Sequence, residues 1–146
     1  PKLVSASSSC FANCTSATEF NFPELVSAGQ NCFASCTSTT TFDFPKLVTA
    51  EFQCFNSCTS ATEFNFPKLV SAGLQCFASC TSATEFNFPV LQNLGPTVGN
   101  NQVFLSIIGN TITLTIPAAL MTVNSGSPDG DITYLDSNNT LTIIQV

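Results

Sequence analysis

Apolar and polar positions recur with a single period along the first 88 residues. Segments of 22 residues begin at Pro1, Pro23, Pro45 and Pro67 and align without an insertion, and a fifth begins at Pro89 and fades. The end of each segment alternates polar and aromatic residues, so 19–22, 41–44, 63–66 and 85–88 read as short strands with their Phe pairs turned inward. The next Pro stops each strand. In Cys10-Phe11-Ala12-Asn13-Cys14 and its copies, the first, second and fifth residues share one face of a single helical turn, which puts both thiols and the ring inside. A strand, a bend and one turn thus form each coil. A unit this short cannot bury its own apolar face, so the period predicts a solenoid whose coils cover one another.

Comparing the copies assigns faces. The Pro, Leu3, Val4, Ala6, Cys10, Phe11, Cys14, Thr15, Ser16, Thr18, Phe20 and Phe22 columns are identical in all four copies and, being mostly small or apolar, fit a core. Positions 7 to 9 change instead, reading Ser7-Ser8-Ser9, Gly29-Gln30-Asn31, Glu51-Phe52-Gln53 and Gly73-Leu74-Gln75. Variable triplets on a rigid stack are where binding residues are displayed, so Phe52 and Leu74 are candidates for an exposed apolar patch. The alternative is that both tuck into the core. The polar strand positions Glu19, Thr41, Glu63 and Glu85, with Asn21, Asp43, Asn65 and Asn87, predict an acidic face suited to a basic partner or a divalent cation.

A different rule governs the remainder. Cysteines stop, and residues 103–108 and 111–116 flank Gly109-Asn110 as a hairpin would, while 132–135 and 140–144 flank 136–139. The predicted organisation is therefore four repeats and the start of a fifth over 1–91, then a small antiparallel β module over 92–146 that caps the open end. The fold class is a mostly β, leucine-rich-repeat-like solenoid with a parallel sheet and one short helical turn per repeat, followed by that module.

Composition narrows the function. The 146 residues are 44% hydrophobic with 14 Phe, which is a folded composition. No apolar run approaches the roughly 18 residues of a membrane span. There are three Lys and no Arg against nine acidic residues, a net charge of -6, so phosphate backbones find no partner here. His is absent, which removes Ser-His and Cys-His nucleophiles and His-ligated metal, and the expectation is a non-enzyme with no cofactor. Eight Cys in a low-charge, Ser/Thr/Asn-rich chain read as extracellular or cell-surface. Because Pro1 falls inside the repeating pattern, the chain reads as a mature or excised piece.

The thiol pairs Cys10/Cys14, Cys32/Cys36, Cys54/Cys58 and Cys76/Cys80 admit three readings. Zinc ligation is the weakest, since each pair shares its face with a Phe. Disulfides would need the turn to distort, because helical i,i+4 Cβ atoms lie about 5 to 6 Å apart and a disulfide wants roughly 3.5 to 4.5 Å. The third reading is a ladder of buried thiols acting as small hydrophobes. Asp129-Gly130-Asp131 with Asp136 looks like a fragment of a calcium loop but lacks its spaced ligands, and a turn is the reading kept. Asn13-Cys14-Thr15 and Asn138-Asn139-Thr140 satisfy the glycosylation sequon. The Thr15 and Thr18 columns invite comparison with ice-binding arrays, although bends use Thr equally well to satisfy backbone groups.

The order Phe-x-x-Cys, apolar residues six and eight positions later, Pro, and an aliphatic residue three further on resembles the BspA-like leucine-rich repeat of bacterial and some protist surface proteins. Phe11, Phe33, Phe55 and Phe77 with Cys14, Cys36, Cys58 and Cys80 match that family's Phe and Cys columns, and Phe20, Phe22 and their copies stand where it carries Ile or Leu. Two departures affect curvature: the unit is one residue short, and the family's Leu three positions after Cys is Ala17, Thr39, Ala61 and Ala83. The resemblance implies a curved stack with one parallel sheet, used outside the cell for adhesion or for binding a protein or glycan on another surface. The competing reading is a fibre, surface filament or phage appendage that assembles end to end.

Overall fold

The computed structural model describes residues 2–94, 103–122 and 130–146. From the second coil to the fifth, each coil contributes two strands where the sequence pointed to one. The segment after each Pro supplies a short strand, giving β1 (Ser5–Ala6), β2 (Ser27–Ala28), β4 (Thr49–Ala50), β6 (Ser71–Ala72) and β8 (Asn93–Leu94) in a first parallel sheet. The Phe-x-Phe segments supply β3 (Thr41–Asp43), β5 (Glu63–Asn65) and β7 (Glu85–Asn87), which continue into β9 (Thr111–Ile116) and β10 (Thr140–Gln145) as a second sheet. Ser5 pairs with Ser27, Ser27 with Thr49 and Thr49 with Ser71, so each ladder step advances by one sequence period. Residues 19–22, expected as the first strand of the second sheet, lie in no strand, and that sheet starts at Thr41.

The expected helical turn is instead a run of tight turns. Cys32, Ala34 and Cys36 donate their N–H groups to the carbonyls of Gly29, Asn31 and Phe33, a three-residue spacing. Left-handed residues at Asn31 (φ 53°) and Ser35 (φ 60°) reverse the chain at both ends of the run, and the other repeats place Ser, Asn or Gln in the same two columns. Because of those reversals, the N–H groups of Asn31, Phe33 and Ser35 point along the stack and donate to Phe52, Cys54 and Asn56 of the next coil. These turns therefore add a third hydrogen-bonded ladder. Both thiols and the ring still end inside: Cys32, Phe33 and Cys36 are fully buried.

The antiparallel C-terminal module is overturned. β9 pairs with β7 on one side and β10 on the other, parallel in both cases. Residues 103–106 are turn, not strand, and occupy the place of the Cys-Phe run. Phe77 and Ser79 donate to Val103 and Leu105 as Phe55 and Ser57 donate to Cys76 and Ala78, and Ser106 takes the left-handed conformation of Ser79. Gly109, at φ 78°, helps carry the chain round the coil's corner. Residues 132–135, expected as a strand, belong to α1 (Gly130–Asn138), where the three-residue spacing of the buried Ile132 and Leu135 fits one helix face. Gly130-Asp131 thus opens a helix in place of the expected turn, and Asp129 lies outside the described residues. Glu85 pairs with Thr113, 28 residues on, so the later coil is longer than its predecessors while keeping their register.

The core is three files of phenylalanine. Phe33, Phe55 and Phe77 stack face to face at 5.4 and 5.6 Å, within 2° and 4° of parallel, and Phe104 extends the file 5.7 Å further. Phe42, Phe64 and Phe86 form a second file, and Phe44, Phe66 and Phe88 a third. The first and second files meet edge to face, as Phe55 does Phe64 at 5.8 Å, whereas the first and third meet at shallower angles, as Phe55 does Phe66 at 28°. Phe55→Ala should therefore cost about 3–5 kcal/mol. Phe11→Ala should cost less than half as much, because Phe11 in the first coil is only partly buried. Urea denaturation followed by far-UV circular dichroism reads the difference, and equal costs would contradict the stack's polarity of burial.

Candidate functional site

The interior offers thiols. All eight cysteines are free, and the six from Cys32 to Cys80 are buried, whereas Cys10 is exposed and Cys14 half-buried in the first coil. The second thiol of each pair has a fixed partner: Sγ of Cys36, Cys58 and Cys80 donates to the carbonyl of Phe11, Phe33 and Phe55 in the preceding coil, at 3.2, 3.2 and 3.1 Å. Burial pushes Cys32 and Cys36 up to about 12 and raises Cys54 and Cys76 as well. Cys58 is raised first by its hydrogen bond with Cys80 and then by burial. Such thiols stay protonated at neutral pH and are poor nucleophiles. Among the described residues no three His, Cys, Asp or Glu side chains come together as a metal site.

The outer face of the β3–β5–β7 sheet offers regular polar columns, as alternation along each strand requires. With Phe42, Phe64 and Phe86 inward, Thr41, Glu63 and Glu85 line one column outside, and Asp43, Asn65 and Asn87 line the next. The second column is hydrogen-bonded end to end, Asn87 Nδ2 donating to Asn65 Oδ1 at 2.7 Å and Asn65 Nδ2 to Asp43 Oδ1 at 2.9 Å. Its amides are consumed by the ladder. The glutamates have no comparable partner, and none of them forms an ion pair among the described residues. Glu19 and Asn21 belong to the same columns by sequence but precede the first paired strand. In the Thr18 column two hydroxyls turn to the backbone, Thr62 and Thr84 Oγ1 donating to the carbonyls of Thr40 and Thr62, both at 3.2 Å, which is the bend-satisfying role.

Other sequence candidates fall elsewhere. Phe52 and Leu74 are half-buried, on the turn that joins the first sheet to the Cys run. A Cβ on Gly73 would meet Phe52 N and Glu51 C at 2.6 Å, so the triplet varies partly because alternate coils leave no room for a side chain there. Asp136 is exposed near the end of α1. Thr39 is fully buried where the other copies have Ala, and its hydroxyl donates to Ala17 O at 2.8 Å.

The sequence reading misplaced the Val column. Val4 and Val26 are 54% and 37% exposed, and Val48 and Val70 are half-buried. They line the outside of the first sheet's leading edge. The neighbouring column of Lys2, Glu24, Lys46 and Lys68 lies on the same edge, where Lys2, Val4, Pro23 and Glu24 border an open groove. Leu25, Leu47 and Leu69, between the two columns, are fully buried. The alternation of polar, inward Leu and outward Val was visible but was overridden by the identity of the Val column in every copy.

Two parallel sheets joined coil by coil around a filled apolar core define a leucine-rich-repeat solenoid. A family model of the BspA type leucine rich repeat region matches residues 2–102 in six copies, and the chain belongs to that family. No curated protein and no solved structure matches it. No helix among the described residues is long and apolar enough to cross a membrane.

The buried thiols fix a pH dependence. A thiol near 8.5 in the unfolded chain and near 12 in the folded one contributes stability that is complete below the unfolded value and lost as pH rises towards the folded one. Stability should fall by about 1.4 kcal/mol per pH unit for each such thiol above about pH 9. Urea midpoints measured from pH 7 to 10.5 test this, and a midpoint that stays constant would show that the thiols do not titrate on unfolding.

Proposed function

We propose that the chain is a non-catalytic binding module, acting outside the cell or at its surface, which takes a protein or glycan partner on the outer face of the sheet that holds β3, β5 and β7. The observation that carries this reading is the row of unpaired carboxylates at Glu63 and Glu85, held at one-coil spacing beside an amide ladder that is already satisfied. Adjacent strands lie about 4.8 Å apart, so like charges repel along the column unless a partner or dissolved ions screen them. Leucine-rich repeats generally serve as protein-interaction surfaces, and membership of that family supports the reading.

Residues 92–146 act in this proposal as the cap of the stack. Leu114 and Ile116 take over the phenylalanine files on β9, and Leu141 and Ile143 on β10 are only partly buried, so apolar content tapers towards this end. A structural reading, in which copies join end to end as a fibre or surface filament, draws on the same coil: β10 ends its sheet, carries no charged residue and leaves Ile144 46% exposed. Size-exclusion chromatography at 0.5 M NaCl separates the two, since end-to-end growth through the uncharged β10 edge still rises with concentration at high salt and a capped module stays at one size.

For the carboxylate face the probe is an oligo-lysine peptide titrated by calorimetry. Binding should weaken about ten-fold between 0.05 and 0.5 M NaCl and should be reduced similarly by Glu63→Gln with Glu85→Gln. The pair Phe52→Ser and Leu74→Ser should leave it unchanged. Salt-insensitive binding, or loss of binding only in the Phe52/Leu74 pair, would move the contact off the sheet.

A further inference from the structure

All cationic side chains of this chain stand in one column. Lys2, Lys46 and Lys68 occupy the second position of their coils, and Glu24 takes that position in the remaining full repeat. On the other side of the same coils stand Glu19, ahead of the first paired strand, and Thr41, Glu63 and Glu85 on β3, β5 and β7. Every coil with Lys in the first column has Glu in the second. The coil with Glu24 has Thr41 instead, and the fifth coil, with uncharged Val90, presents Thr113 in register with Glu85. Within the chain the two columns do not meet: the ion pair among the described residues is Lys46 Nζ with Glu24 Oε2, at 2.7 Å.

We propose that a second copy of this chain reads the pattern. The two solenoids lie side by side, pointing the same way and level with one another, the lysine column of one against the glutamate column of its neighbour. In this register Lys2, Lys46 and Lys68 face Glu19, Glu63 and Glu85, and Glu24 faces Thr41, so no glutamate opposes another across the two columns. A shift of one coil in either direction leaves one attractive pair and sets Glu24 against Glu63 or Glu19. An antiparallel arrangement of the four levels keeps two attractive pairs and sets Glu24 against Glu63. Asp43 shares the level of Glu24, but it lies two residues further along its strand than Thr41, and its carboxylate already accepts from Asn65. The common coil spacing of both columns lets all three pairs form together, and the exposed Val4 and Val26 add apolar surface beside the lysines.

The contact is heterologous, since the lysine edge and the glutamate face are different surfaces of one molecule. Each added copy leaves one of each unsatisfied, so association continues sideways into a row. Exposed ion pairs are individually weak, and the row therefore forms where copies are dense. The inference rests on the glutamate column being a contact face, and the experiment separates the two.

Sedimentation velocity on the full chain at 0.05 M NaCl should show self-association that weakens about ten-fold at 0.5 M. The variant with Lys46→Glu and Lys68→Glu, and the variant with Glu63→Lys and Glu85→Lys, should each sediment as monomers with unchanged circular dichroism. Mixed in equal amounts they should associate again, because each column of one then meets its opposite in the other. Association as strong at 0.5 M NaCl as at 0.05 M, or as strong in either variant alone as in the wild-type chain, overturns the proposal, as does a mixture that stays monomeric. If that mixture stays monomeric while oligo-lysine still binds wild-type chain, lateral pairing alone fails. If oligo-lysine does not bind either, the contact face fails with it.

Discussion

Phe33, Phe55 and Phe77 lie nearly parallel and in contact, and that contact exists only if every coil repeats in the same register. A ring file tolerates neither an added residue in its segment nor a missing ring, because either leaves an aromatic face without a neighbour. Three files anchored at different points of the coil fix its path on several sides. The remaining interior positions must then be small: alanine at 28, 50 and 72, and thiols flanking each ring of the first file. Cysteine suits that place as a compact, polarizable side chain whose weak donor reaches a carbonyl of the coil before it.

Once the register is set, backbone satisfaction follows from it. Two parallel sheets and the ladder through the tight turns give each internal coil hydrogen bonds to its neighbours on several sides. Where the sequence repeat ends, the register outlives it. The coil after Phe88 is longer and lacks cysteine, yet Phe104 continues the first file and Leu114 and Ile116 continue the others. Asn110 replaces the satisfying role of the Thr and Ser hydroxyls, its Nδ2 donating to Thr81 O and Ala83 O at 3.0 and 2.8 Å. Asn139 repeats the device one coil on, reaching Ile107 O and Leu135 O.

Period, inward Phe columns and buried thiols were legible in the sequence because burial of large side chains in register is itself a periodic signal. The first sheet was not, since each of its strands is two residues long and carries no alternation beyond one polar residue and one buried apolar one, Ser or Thr with Ala in β1, β2, β4 and β6 and Asn with Leu in β8. The C-terminal error has a physical origin. Alternating β-branched residues at 111–116 identify a strand but not its partner, and Gly109-Asn110 reads equally as a hairpin turn or as a solenoid corner. What decides between them is the match of Val103-Phe104 to the Cys-Phe columns, a signal diluted by the change of residue type and spacing. The outward Val column misled for the opposite reason: identity between copies was read as burial, though a surface presented once per coil also repeats. The carboxylate columns were legible because a strand with Phe inward leaves its alternate residues outside.

That last case shows how the interior and exterior of this molecule are tied together. A side chain outside the stack costs little to change, so the coils are free to differ there, and the triplets after β1, β2, β4 and β6 do differ. The lysine and glutamate columns occupy positions with the same freedom, yet their changes coincide in the second coil, where Glu24 and Thr41 replace the pair found at Lys2 and Glu19. The ring files are continuous through that coil, and the Lys46–Glu24 ion pair within the chain does not involve Thr41. The lateral pairing proposed above meets both columns at once, with the same coil spacing. A chain built on the same ring register has that spacing along its whole length.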